Sequence, residues 1–129
     1  TRQGWALFAA MSLMFLAGVF VIYASEQAGN PILAKLGIDS AGGIPDTTVE
    51  QFRLALKSLD NCLRHAGGLP EHVVKVNVYM TRIGERGLIN PLRQDYFGEH
   101  RPASTLVEVS ALVDPRLSVE IEAIAVVPG

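Results

Sequence analysis

The sequence predicts an α+β domain in which two helices pack on one face of a β-sheet. Apolar residues recur at helical spacing within residues 47–66, which indicates an amphipathic helix. The run Val73–Met80 is rich in β-branched residues and is typical of a strand. In two later segments, 105–109 and 119–127, every second residue belongs to the same set of side chains. This alternation is typical of strands, in which successive side chains point to opposite faces of the sheet. With a second helix between them, the predicted order is α-β-α-β-β.

The start of the chain is different, because residues 3–25 contain no charged side chain. An apolar run of 18 or more residues is long enough to cross a bilayer as a helix. A secretory signal peptide is an alternative, although its apolar core is usually shorter than this run. A pair of strands joined by a turn at Ala17 and Gly18 is another, since Phe20, Val21 and Ile22 favour strand. Association with a membrane through residues 3–25 therefore stays open beside a cytoplasmic location.

A break at Gly42, Gly43 and Pro45 separates this segment from the predicted domain. Asp46, Thr47 and Thr48 are candidate N-caps for the first helix. Its predicted buried stripe comprises Phe52, Leu56, Leu59 and Leu63, and Gly67-Gly68 ends it. The second helix is predicted over residues 87–98.

Composition excludes several functions. The 129 residues carry a net charge of −2 without a basic cluster, so no nucleic-acid partner is expected. The single cysteine, Cys62, excludes an internal disulfide and a thiolate metal cluster, and is best explained as a small buried apolar residue. His65 and His72 lack ligand spacing with other metal-binding residues, so no metal is predicted. No cofactor is predicted either.

Short runs within residues 1–41 resemble a segment of the A subunit of bacterial potassium-transporting ATPases. These runs are RQG at 2–4, AMS at 10–12, QAGNP at 27–31 and LGIDS at 36–40. In that family the segment forms one membrane helix and the loop that follows it. The selectivity-filter segments have no counterpart here, so the resemblance implies no ion conduction.

Residues 42–129 resemble the RidA/YjgF family of reactive-intermediate deaminases. The resemblance rests on VVKVNVYMTRI at 73–83, YFGEHRPAST at 96–105 and VEIEAIAVV at 119–127. It implies a chorismate-mutase-like α+β fold, a homotrimer and small-molecule ligands at the subunit interfaces. Members hydrolyse enamines and imines to ketoacids and ammonia without a metal or organic cofactor. The apolar residues expected to form the contact between copies are Val107, Val109, Val119 and Ile121.

The family pattern is only partly present. Deaminating members carry an arginine after the Pro-Ala pair, where it binds the substrate carboxylate, and this chain has Ser104 there. A hydroxyl does not replace a guanidinium, so carboxylated substrates should bind several kcal/mol more weakly. Arg101 is expected to point to the other face of the strand and not to substitute. Leu106, two residues after Ser104, should make the cleft more apolar. The family's early strand hairpin has no clear counterpart.

Two further residues match the family's cleft. Glu120 falls on the water-positioning carboxylate and is the predicted catalytic residue, although two acidic residues on a solvated strand would look the same. Asn90 falls on a cleft-lining asparagine, and because Pro91 follows it, an N-cap at a helix start is the alternative. His100 is expected to be a surface residue in a polar loop, and Ser104 lacks an adjacent base that would make it a nucleophile.

Three functions agree with these patterns. The first is a RidA-like hydrolase acting on imine or enamine metabolites, with Asn90, Ser104 and Leu106 binding substrate and Glu120 acting on water. The second is a ligand-binding trimer without chemistry. The third is a fused or truncated gene product, in which a transporter-derived segment, 1–41, replaces the first strands of a RidA-like domain, 42–129. The transporter resemblance extends beyond the apolar run, which favours a foreign segment whose removal leaves the remainder folded.

Overall fold

Two helices lie on one side of a mixed β-sheet in the computed structural model of the chain, which describes residues 19–20 and 44–128. The elements are β1 (Val19–Phe20), α1 (Thr48–His65), β2 (Val73–Met80), α2 (Arg86–Phe97), β3 (Ala103–Glu108) and β4 (Val119–Ala125), with 3-10 turns at Pro70–His72 and Ile83–Glu85. The predicted α+β class is confirmed. From α1 onward the elements follow the predicted order.

The described strands have the spatial order β1-β4-β2-β3. β2 and β3 are parallel and are connected through α2, as a parallel pair requires a crossover. β4 runs antiparallel to β2, with Val78 opposite Ile121 and Asn77 opposite Glu122. The register shifts between Val73 and Lys75, where β2 begins.

The short strand β1 lies inside the apolar segment 3–25 and pairs in parallel with β4. Val19 is opposite Ile121 and Phe20 is opposite Glu122. At these two residues the structure shows the strand alternative rather than the helical one. The other residues of 3–25 and the predicted break at 42–43 lie outside the described residues. Among the described helices, none combines the length and apolar character that crossing a membrane requires.

The ends of α1 have the local chemistry that the sequence predicts. The Thr47 hydroxyl caps the helix by accepting a hydrogen bond of 3.2 Å from the backbone N–H of Glu50. At the other end Gly67 has a φ of 79°, a conformation that favours glycine. Gly68 then donates a 2.7 Å hydrogen bond to the Leu63 carbonyl, which satisfies an otherwise unpaired helix carbonyl.

The core lies between the helices and one face of the sheet. The predicted α1 stripe is buried, and so is Cys62. Burial raises the pKa of the Cys62 thiol to about 11, which keeps it protonated at neutral pH. From the sheet, alternate residues of β2 and β4 face this layer: Val76, Val78, Met80, Val119, Ile121, Ala123 and Ala125.

This packing corrects one prediction about the contact between copies. Val119 and Ile121 are at most 1% exposed, and α1 packs against their strand. They are therefore not available to a neighbouring copy. Val107 is 40% exposed, and the register places it opposite Tyr79 on the face of the sheet away from the helices. Val109 follows the end of β3 and is half-buried.

A buried polar network holds the start of β4 against α1. The Gln51 side-chain oxygen accepts hydrogen bonds from the Ser118 N–H at 2.8 Å and from the Ser118 hydroxyl at 3.0 Å. The Gln51 amide donates to the carbonyls of Pro45 and Arg116 at 2.8 and 2.9 Å. Since every polar atom of this amide is in use, the network fixes the backbone two residues before Glu120.

Candidate functional site

The face of the sheet away from the helices carries a polar cluster on its two central strands. β2 contributes Asn77 and Tyr79, and β4 contributes Glu120 and Glu122. Strand register creates the cluster, because Asn77 is opposite Glu122 and Tyr79 is opposite Glu120. The same oxygen of Glu122, Oε2, accepts a 3.1 Å hydrogen bond from the Asn77 amide and a 3.0 Å bond from the Tyr79 hydroxyl.

Glu120 is the residue of this cluster with the strongest electrostatic perturbation. Its carboxyl group is half-buried, and burial together with the nearby charge of Glu122 raises its pKa from 4.5 to about 7. The group can therefore both release and accept a proton near neutral pH. The pKa of the Tyr79 hydroxyl is also raised, mainly by burial and secondarily by its hydrogen bond to Glu122, so it stays a neutral donor.

A cavity of about 290 Å³ lies on the opposite, helix-bearing side of the sheet. One stripe of α2, formed by Asn90, Arg93, Gln94 and Phe97, lines one wall. Their spacing of three and four residues places them on a single helix face. His100, Arg101, Pro102 and Ser104, from the segment that leads into β3, complete the lining.

Arg93 and Ser104 meet in this cavity. The Arg93 Nη2 donates a hydrogen bond to the Ser104 Oγ, which joins α2 to the start of β3. Partial burial of the Arg93 guanidinium lowers its pKa, because the charged form loses hydration. Sequence reasoning missed Arg93, which lies eleven residues from Ser104 on another element. The helical spacing from Asn90 was the signal that could have found it.

The placement predicted for Arg101 is wrong. That placement requires residues 101–104 to be all in a strand, but β3 begins at Ala103. Arg101 precedes the strand and lines the same cavity as Ser104. His100 is half-buried rather than a surface residue, and its Nε2 lies 2.5 Å from the Val73 carbonyl oxygen. This contact connects the loop to the start of β2.

The four predicted site residues fall into three places. Asn90 and Ser104 line the cavity together. Asn90 lies inside α2, so the alternative of an N-cap is wrong. Leu106 packs against the core and is not among the cavity-lining residues. Glu120 lies on the other face of the sheet, so one copy of the chain does not bring it to the cavity.

A second cavity, of about 350 Å³, lies beside α1 and the end of α2. Three of its polar groups bind one another: Asp60 accepts hydrogen bonds from Arg64 Nε at 2.7 Å and from the Tyr96 hydroxyl at 3.1 Å. Burial, with the adjacent Asp60 charge, raises the pKa of Tyr96. We interpret this cluster as a contact between the two helices. In the part of the chain that the structure describes, no group of three or more His, Cys, Asp or Glu residues could hold a metal ion.

The fold and these two clusters define a small α+β domain with an acidic group on the open sheet face and a basic cavity on the helix side. The sequence model of a family described as Endoribonuclease L-PSP matches residues 23–127. The chain belongs to this family, whose structural relatives include Rid and YjgF proteins. The match confirms the RidA/YjgF resemblance. It begins at residue 23, well before the boundary predicted at residue 42.

Solved structures support the same assignment. A Rid-family protein of unknown function from Yersinia pestis is 36% identical, with a TM-score of 0.64 over 67% of this chain and 70% of that chain. A YjgF-family member from Mycobacterium tuberculosis is 38% identical, with a TM-score of 0.63 over 66% of this chain and 72% of that chain. Both relatives therefore share the fold as well as the sequence pattern.

Curated relatives confirm the other resemblance. The potassium-binding subunit of a potassium-transporting ATPase from Solibacter usitatus is 52% identical over 59 residues, which are 46% of this chain and 10% of that protein. The corresponding subunit from Methylococcus capsulatus is 56% identical over 59 residues, again 46% of this chain and 10% of the subunit. The chain thus spans about a tenth of these relatives' length.

Proposed function

We propose that the protein binds small imine or enamine metabolites and hydrolyses them in a cleft formed between copies of a homotrimer. The observation that carries this proposal is Glu120, a half-buried carboxyl group with a pKa raised to about 7 on the open face of the sheet. A general base works best when its pKa is close to the operating pH. The reaction class is the one that the resemblance to reactive-intermediate deaminases implies.

Glu120 acts on the attacking water in this mechanism. The carboxylate accepts a proton from water while the water oxygen forms a bond to the imine carbon, and the protonated carboxyl group passes this proton to the imine nitrogen, which gives a neutral carbinolamine and restores the carboxylate. The carbinolamine then transfers its hydroxyl proton through Glu120 to nitrogen, the carbon–nitrogen bond breaks, and a carbonyl compound and ammonia leave. An enamine first takes a proton on carbon and loses one from nitrogen to become the imine. Water is the only co-reactant, and Glu120 ends in its starting state.

Glu122 is a positioning residue for this step. Hydrogen bonds from Asn77 and Tyr79 hold its carboxylate on the same face as Glu120. Its charge contributes to the raised pKa of Glu120, after the larger effect of burial. Tyr79 and Asn77 thus act through Glu122 on the protonation of Glu120.

Assembly is part of the proposal because Glu120 and the cavity lie on opposite faces of one sheet. A cleft between copies would place Glu120 of one copy near the cavity of the next. The exposed side chain of Val107, on the same face as Tyr79, gives this surface an apolar part that a neighbour can cover. Light scattering with size-exclusion chromatography should give three times the chain mass of 13.9 kDa. A monodisperse monomer at micromolar concentration would rule out the inter-copy cleft.

The activity test measures decay of a small imine, generated in situ by an amino-acid oxidase, with and without the full-length protein. Glu120→Gln should lower kcat/KM about 100-fold or more, since general acid–base catalysis is worth that much. Glu99→Gln is the matched control, because Glu99 is exposed and lines neither the cavity nor the polar cluster. Equal rates for the Glu120 variant and the wild type would eliminate this mechanism.

A ligand-binding trimer without chemistry is the second candidate. The observation that favours it is Ser104, which stands where deaminating relatives carry arginine. Ligand binding by a trimer that leaves the decay rate of the imine unchanged would select this function. The Endoribonuclease name of the family adds no third candidate, since the chain's net charge of −2 provides no electrostatic attraction for RNA.

A further inference from the structure

We propose that Arg93 binds a small carboxylate in the 290 Å³ cavity, in place of the arginine that Ser104 replaces. The inference rests on the proposed function for the identity of the substrate, a carboxylated imine or its ketoacid product. Anion binding itself is measurable without turnover. Arg93 is thus a specificity-determining residue supplied by α2 rather than by β3.

The contact between Arg93 and Ser104 carries the inference. Because the guanidinium reaches the Ser104 hydroxyl, it lies within hydrogen-bonding distance of the position where relatives carry their arginine. A guanidinium has five N–H donors, and Ser104 is the one hydrogen-bond acceptor found for Arg93 among the described residues. The remaining donors are available to a carboxylate. Ser104 then orients the guanidinium instead of binding substrate directly.

The charges around the cavity favour an anion. Two of the eight lining residues, Arg93 and Arg101, carry positive charge, and none carries a carboxylate. Within the described part of the chain, the arginines that form ion pairs are Arg53, Arg64, Arg82 and Arg116. Arg93 is therefore partly buried without a counter-ion among the described residues, an arrangement that a bound anion stabilises.

The residues that line the cavity fit a ligand with one negative charge and a few carbon atoms. Arg93 is the partly buried cation, whereas Arg101 is exposed and remains hydrated. One desolvated guanidinium neutralises one carboxylate, for which its planar fork is suited. The side-chain amides of Asn90 and Gln94 offer hydrogen bonds to the rest of the ligand, and Phe97 provides an apolar wall. Phosphate, with nearly two charges, is the less suitable oxyanion.

The test is calorimetric titration of the full-length protein with pyruvate, with its uncharged analogue pyruvamide, and with inorganic phosphate. Pyruvate should bind more tightly than either. Arg93→Gln should weaken pyruvate binding about tenfold to 100-fold, as expected for loss of a charge-assisted hydrogen bond, and should leave pyruvamide binding unchanged. Arg86→Gln removes the same charge from the exposed first residue of α2, outside the cavity, and should have no effect.

Two further variants keep the test decisive if Arg93→Gln fails to fold. Arg93→Lys keeps the charge but not the planar fork and should bind pyruvate weakly, while Ser104→Ala should weaken binding only a few-fold. Any of four results would overturn the inference. These are pyruvate binding that Arg93→Lys leaves unaffected, pyruvamide binding as tight as pyruvate binding, phosphate binding tighter than pyruvate binding, and no binding of pyruvate. Arg93-dependent binding of pyruvate without imine hydrolysis would uphold it and remove the proposed catalysis alone.

Discussion

The two faces of the sheet differ in what covers them. On the helix side, Val78 and Ile121 are at most 1% exposed and pack beneath α1 and α2. On the other side, Tyr79 and Glu122 are joined by a hydrogen bond, and no described element covers them. Side chains alternate between the faces, so neighbouring residues of one strand have different functions. The comparison shows that stability is concentrated on one face, whereas the proposed catalytic carboxyl group lies on the other.

Removal of the first 41 residues should have the largest effect on this comparison. The transporter resemblance favours a foreign segment, whereas the pairing of β1 with β4 and the family match from residue 23 favour a segment that belongs to the fold. A chain that begins at Gly42 leaves the outer edge of β4 without its partner. We expect loss of the cooperative thermal transition, measured by circular dichroism, in comparison with the full chain. A cooperative melt at the same temperature would show that the described helices alone stabilise the sheet.

The next largest effect on stability should come from shortening one side chain on each face of the sheet. Ile121→Ala on the covered face should lower the free energy of unfolding by about 2–5 kcal/mol, because it creates a cavity in a packed core. Ile124→Ala is the matched variant on the same strand, where the side chain is only half-buried, and it should cost less than half as much. Urea denaturation measures both values. Equal losses would mean that something covers the open face as completely as the helices cover the other.

The smallest effect on stability should come from the protonation of Glu120, which changes the charge on the open face of the sheet. Its pKa is higher in the folded protein, about 7, than the ordinary value of 4.5, so the folded state binds the extra proton between these pH values. This group's contribution to stability is therefore complete below about pH 4.5 and decreases as the pH rises to 7. Glu120→Gln should reduce that decrease in urea denaturations at pH 5 and pH 7.5. The Glu99→Gln control should retain it.

Much of the fold follows from local sequence chemistry. The periodicity of Phe52, Leu56, Leu59 and Leu63 identifies α1 and the side it buries, and Thr47 and Gly67 mark its ends. The β-branched run of β2 and the alternation in β4 place these strands within a few residues of their observed bounds. These features depend on neighbours in the chain, so sequence reasoning can reach them. The candidate roles of Glu120, Asn90 and Ser104 depend on family resemblance and stay predictions.

By itself, the sequence determined the α+β class, the order of the elements from α1 onward and the family, because spacing and propensity act over a few residues. The tertiary structure alone decided which residues meet. Pairing of β2 with β4 places Asn77 and Tyr79 against Glu122, and packing of α2 beside β3 brings Arg93 to Ser104. It also showed that Val119 and Ile121 face the helices and that β1 pairs with β4. Register and helix packing join residues far apart in the chain, and no local pattern specifies those contacts.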